Sequence, residues 1–139
     1  KWFAPILSFT TEEIFKLVVK KKSIHLEKFI NFPKTFENHN LNLKWLDLIK
    51  IRDICNLSIE EKRAAKIIGS SLEASLEVGL GKNNFELVKS VDLAELCITS
   101  SAIINLSDKE EIKVKTIKSK GKKCPVCWKI SLDPCPKHS

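Results

Sequence analysis

The sequence predicts a helix-rich α+β fold: helices first, then a small α/β unit with a short antiparallel sheet, then a metal-ligating tail. Three observations carry this. Apolar residues recur at helical spacing as far as about residue 68. The period then switches to two, with Leu72, Ala74, Leu76, Val78 and Leu80 alternating with smaller or charged residues. The last sixteen residues hold two pairs of soft ligands, Cys124-Pro-Val-Cys127 and Cys135-Pro-Lys-His138, across a seven-residue loop. Helices segregated from strands argue for α+β rather than a βαβ sheet.

Each element has its own justification. Ile6, Leu7 and Phe9 form one apolar patch, and Ile14, Phe15, Leu17 and Val18 another. Thr10 and Glu13 between them have capping-box spacing, which predicts one helix ending near Phe9 and a second over 11–19. Lysines 20–22 would complement the dipole of the second. Residues 23–42, with Pro33 and several Asn, read as a long loop pinned by Phe29, Phe32 and Phe36. Leu43, Trp45, Leu46, Ile49, Ile54 and Leu57 predict a helix over 43–56. Ser58 and Glu61 would cap another, over 59–68, with Gly69 as its left-handed end. The alternating run 72–80 predicts a strand ended by Gly79-Leu80-Gly81, and 83–89 a short helix with Phe85 and Val88 inward. Residues 96–100 and 112–117 supply two more strands. The boundaries expected are 1–70 for the helical part, 71–118 for the α/β unit and 119–139 for the tail.

Bulk properties exclude several classes. A length of 139 residues fits one ordinary domain or a small domain with appendages. No apolar run approaches the ~18 residues of a membrane span. Cys55 and Cys97, inside apolar-patterned segments, read as buried thiols in a reducing, cytoplasmic setting. The chain begins Lys1-Trp2 without a signal segment and is expected to be a piece of something longer. Its formal charge is +7, from 24 Lys and Arg against 17 Asp and Glu. That suits phosphate-bearing partners or a solvated lysine-rich surface equally.

The tail carries the chemistry. Cys124, Cys127, Cys135 and His138 offer the four S and N donors that zinc takes in a tetrahedron, leaving no position for a water nucleophile. The site is therefore expected to be structural, one zinc per chain; a disulfide or a redox Cys-x-x-Cys is the alternative. Lys118, Lys120, Lys122 and Lys123 precede the ligands, and Lys129 and Lys137 lie among them. Such lysines release counterions from phosphates, and Trp128 beside a ligand could stack on an unpaired base. RNA fits better than duplex DNA because its loops splay bases out. Trp128 could equally pack over the knuckle as a miniature core. No catalytic set is present: His25 and His39 lack a nucleophile at any informative spacing, and Glu12-Glu13 and Glu60-Glu61 fall at helix starts, where they serve the dipole. No glycine-rich phosphate loop occurs.

Several segments resemble a family. Ala4-Pro5-Ile6-Leu7-Ser8-Phe9-Thr10-Thr11-Glu12-Glu13-Ile14-Phe15 is similar to the end of the helical anticodon-binding domain of class I aminoacyl-tRNA synthetases. Ser23-Ile24-His25-Leu26 followed by Phe32-Pro33 continues the likeness. Trp45, Arg52-Asp53, Ile68-Gly69-Ser70-Ser71-Leu72-Glu73-Ala74 and Gly121-Lys122-Lys123-Cys124-Pro125-Val126-Cys127-Trp128 resemble the bacterial isoleucyl-tRNA synthetase family in particular. The chain departs from that pattern at Ser8, where proline is usual, in its short zinc loop, and at His138, where cysteine is usual.

The resemblance implies a parent ligase that joins isoleucine to its tRNA with ATP and Mg. It implies a monomer whose catalytic and editing domains lie upstream, with this segment serving tRNA recognition. Within the match, Lys120, Lys122, Lys123, Trp128 and Lys129 would face RNA, with Arg52 a further candidate or else a helix-surface ion pair with Asp53 or Glu60. Other readings are a stand-alone zinc-ribbon RNA-binding module and a purely structural, partner-binding domain.

Overall fold

The apolar residues of the helical half sort into two stripes, and the packing chooses between them. In the computed structural model, which describes residues 1–20, 22–135 and 137–138, the chain divides into two compact units, Lys1–Asn38 and His39–Ser139.

In the first unit, α1 (Ser8–Val19) is one helix, where two had been expected. The Thr10–Glu13 box does not form. The Thr11 N–H and hydroxyl both donate to the Leu7 carbonyl, at 2.9 and 2.7 Å, so the helical bonds run through the expected break. Lys20 closes the helix in the left-handed conformation, φ 55°; Lys21 lies outside the described residues. Glu12, expected to serve the dipole, instead anchors the following loop. Its carboxylate accepts from the Ile24 N–H and the Ser23 hydroxyl, both at 2.9 Å, and pairs with Lys16 at 3.1 Å. The Ile24 N–H, with help from Lys16 and Ser23, holds its pKa below the ordinary glutamate value. This contact is complete above that ordinary value and is lost as pH falls through the lowered one. An NMR acid titration should show the Ile24 amide moving only there.

Ala4, Phe15 and Ile24 form this unit's small core. Phe29, Phe32 and Phe36 do not pin the loop inward, being 67, 56 and 72% exposed. Phe32 instead packs on Trp2, ring centres 5.1 Å apart.

In the second unit, α2 (His39–Ala64) runs 26 residues without the expected interruption near 57. Leu48, Ile51, Cys55 and Ile59 lie three to four residues apart and form its buried stripe. The residues that signalled this helix in the sequence, Leu43, Trp45, Leu46, Ile49, Ile54 and Leu57, are all 38–65% exposed. Periodicity found the helix but selected the wrong face, because apolar residues occur on both sides.

Ser58 caps nothing. Its hydroxyl meets that of buried Thr116 at 2.8 Å, joining α2 to the sheet. Ser58→Ala should cost about 1–3 kcal/mol by orphaning Thr116. Adding Thr116→Val should then cost less than it does alone; denaturant unfolding of the two single variants and the double variant checks the coupling. The helix ends at Lys66, φ 56°, where the Ile67 N–H reaches the Lys62 carbonyl at 3.0 Å in a Schellman closure. Gly69, expected as that cap, lies beyond it.

Strand β1 (Ala74–Leu80) alternates buried and half-buried residues as expected. It is followed by α3 (Lys82–Val88), α4 (Leu93–Leu96), β2 (Ser101–Leu106) and β3 (Lys113–Lys118). The sheet order is β2-β1-β3, parallel between β1 and β2 and antiparallel between β1 and β3. The expected antiparallel sheet is thus a mixed one. The connection through 81–100 holds two helices, enough chain for a parallel crossover.

The strand expected at 96–100 is the end of α4 and its exit. Asp92 accepts from the Ala94 and Glu95 N–H groups at 2.9 and 3.1 Å and starts that helix. Ala74, Leu76, Val78 and Leu80 share one core with the α2 stripe, Val88, Leu93 and Cys97. The helix-rich α+β class stands: a helical N-terminal part, a small mixed sheet and a C-terminal Cys3His cluster.

Candidate metal centre

Gly121 begins the tail, at φ +124°, a conformation that favours glycine. It leads into β4 (Lys122–Lys123), which pairs antiparallel with β5 (Ile130–Ser131). At the tip, the Trp128 N–H donates to the Cys124 carbonyl at 3.0 Å and the Cys124 N–H to the Lys129 carbonyl at 2.9 Å. These bonds wrap the Cys-x-x-Cys turn and put Trp128 in the left-handed region, φ 64°.

The ligand atoms of Cys124, Cys127, Cys135 and His138 all lie within 4.8 Å of one another. Bonds of about 2.3 Å to S and 2.05 Å to N would give tetrahedral S···S edges near 3.8 Å and S···N edges near 3.6 Å. The Cys127 and Cys135 sulfurs are 3.7 Å apart. His138 Nδ1 lies 3.7 Å from Cys124 Sγ and 3.4 Å from Cys135 Sγ. Donor set and spacing both fit a zinc-sized tetrahedral ion. The sulfurs are free thiols, since 3.7 Å is far beyond a disulfide bond of about 2.05 Å.

Local electrostatics act in opposite directions on the first two thiols. The N–H groups of Cys127 and Val126 pull the Cys124 thiol down to about 6. The Lys129 N–H acts likewise on Cys127, but burial and the neighbouring Cys124 and Cys135 outweigh it and push that thiol up. A bound divalent ion would favour the deprotonated form of both sulfurs.

Around the cluster, Lys120, Lys122 and Lys123 are exposed and in no ion pair among the described residues. Trp128 is 58% exposed, so the knuckle does not bury it. The Lys123 ammonium sits 5.5 Å from its ring centre, in cation–π range. Lys129 is engaged elsewhere: it and Lys137 both bond Glu95 Oε1, at 2.9 and 3.1 Å. Lys129, then Lys137, lowers the Glu95 pKa.

Arg52 is half-buried on α2 and makes neither expected ion pair; Glu60 pairs with Arg63 at 2.7 Å. A hydrogen bond from Cys55, and then the Arg52 charge, lower the Cys97 thiol. The structure thus places Lys122 and Lys123 beside the Cys3His cluster, with Trp128 under the Lys123 ammonium; Lys120 is exposed just before β4. Glu95 and Ser100, which hold the tail, were missed; Asp92-x-x-Glu95, a capping-box spacing, was the readable signal for the helix that carries Glu95.

The chain thus combines a long helix, a crossover sheet and a Cys3His cluster flanked by lysines. A family model for the anticodon-binding domain of tRNA ligase matches residues 1–78, and the chain belongs to that family. It is 61% identical over 140 residues to the isoleucine–tRNA ligase of Pelagibacter ubique, covering 100% of this chain and 16% of that protein. It is 42% identical over 132 residues to that of Methylacidiphilum infernorum, 95% of this chain and 14% of the relative. With that of Caldicellulosiruptor saccharolyticus, identity is 34% over 154 residues, 99% and 17%. The chain thus spans 14–17% of the length of these curated relatives. The metal-ligating clip lies beyond the residues the family model matches. No helix among the described residues is long and apolar enough to cross a membrane.

Proposed function

We propose that this chain is the tRNA-recognising part of an isoleucine–tRNA ligase, an enzyme that joins isoleucine to its tRNA with ATP and Mg in domains other than this one. Similarity to isoleucine–tRNA ligases along the whole chain is the observation that carries the reading. In it, the chain works in the cytoplasm as part of a monomer, and the reduced, buried Cys55 and Cys97 are compatible with that setting. Zinc, one per chain, is held by Cys124, Cys127, Cys135 and His138 as a structural ion that orders the tail.

The ordered tail then presents Lys120, Lys122, Lys123 and Trp128 to RNA, the lysines against phosphates and the indole against an unpaired base. Lys129 contributes less directly, since Glu95 already claims it. Arg52, half-buried on α2, is a further RNA-facing candidate.

Salt dependence tests the electrostatic half. Three phosphate contacts should give a slope of log affinity against log salt of about −2 to −3, and Lys122→Ala with Lys123→Ala should flatten it by about 1.5. Filter binding of an isoleucine-accepting tRNA transcript across a salt series measures both. Affinity that stays level across that series would reject lysine–phosphate contact.

A further inference from the structure

The metal clip closes on itself. Its four ligands, its hairpin and its tip hydrogen bonds all lie within residues 122–138. Yet a second set of contacts reaches out of it, and these converge on two residues of the α/β unit. Glu95, in α4, holds Lys129, which follows the first ligand pair, and Lys137, which lies inside the second. One carboxylate therefore grips both halves of the clip. Ser100, just before β2, donates to the Leu72 carbonyl at 2.5 Å and accepts the Ile130 N–H at 2.6 Å. That stitches β5 to the segment entering β1. Neither contact joins one of the four ligands to another; both join the clip to the α/β unit.

We propose that Glu95 and Ser100 are positioning residues for RNA recognition: they lock a self-contained metal clip onto the α/β unit and so aim Lys122, Lys123 and Trp128. The proposal rests on the RNA-binding reading above. Electrostatics alone gives Glu95 the opposite sign. Removing a carboxylate that occupies two lysines should strengthen attraction to any polyanion. A positioning role instead weakens binding to the correct RNA while leaving non-specific attraction intact or stronger.

The test uses Glu95→Gln and Ser100→Ala in the full-length protein. It measures affinity for an isoleucine-accepting tRNA and for a non-cognate tRNA of equal length at one salt concentration, bound metal per chain, and hydrogen exchange at the Ile130 amide. Expected are wild-type metal content, faster exchange at Ile130 in Ser100→Ala, and cognate affinity lower by about two- to fivefold with non-cognate affinity level or raised. Cognate and non-cognate affinities that rise together would overturn the proposal, leaving Glu95 as a charge only. Loss of metal in both variants would also overturn it, since the contacts would then build the clip rather than aim it. Wild-type protein that binds neither tRNA would sink the RNA reading itself, a failure visible before any variant is made.

Discussion

Cys124→Ser should release the metal and disorder the tail after about residue 118, with the helices and sheet intact. Serine keeps the shape but removes the thiolate, and structural zinc in small folds contributes on the order of 10 kcal/mol or more to local folding. The tail has nothing comparable to replace it: Cys124 belongs to neither hydrophobic cluster, and Val126, Trp128 and Leu132 are 58–81% exposed. The core around Leu76, Val78 and Ile51 contains no residue of the tail, so it should keep its unfolding transition. Metal content by mass spectrometry and limited proteolysis report the two halves separately. A tail that stays protected in the metal-free variant would mean that zinc is not what orders it.

Gly121→Ala should break the same clip from its other end. A β-carbon there would lie 2.0 Å from the Ser131 carbonyl oxygen and 2.3 Å from its carbon. Both are backbone atoms of the paired strand, so relief means opening β4 from β5. The φ of +124° adds strain of about 1–3 kcal/mol for any residue with a side chain. Metal affinity, read by competition with a chromogenic chelator, should fall at least about tenfold if only 1.4 kcal/mol of this reaches the ligands. Gly79→Ala is the matched control: its nearest neighbours stand at 3.8 Å or more, and stability should shift by less than about 1 kcal/mol. An equal loss of metal affinity in both variants would refute the steric account.

Local chemistry was readable without coordinates wherever a short stretch of chain settles it. The four ligands needed only pair spacing and donor type, and 3.4–3.7 Å edges between their atoms follow from that spacing once the hairpin closes. β1 was legible because period two survives any choice of neighbours. The failures share a cause. Thr10 and Ser58 had capping spacing, but Thr10 lies inside a helix that already starts at Ser8, and the Ser58 hydroxyl meets Thr116 across the core.

Two features depended on residues far apart in sequence. Which stripe of α2 is buried was set by the core that packs on it, since Leu46 and Leu48 are equally apolar and only Leu48 joins the core shared with β1. The contacts that join the clip to the α/β unit come from Glu95 and Ser100, 30 to 42 residues upstream of the groups they hold. A ligand motif is a matter of covalent spacing, and the chain writes it locally. Orientation is a matter of long-range contact, and it exists only once the core has brought those residues together.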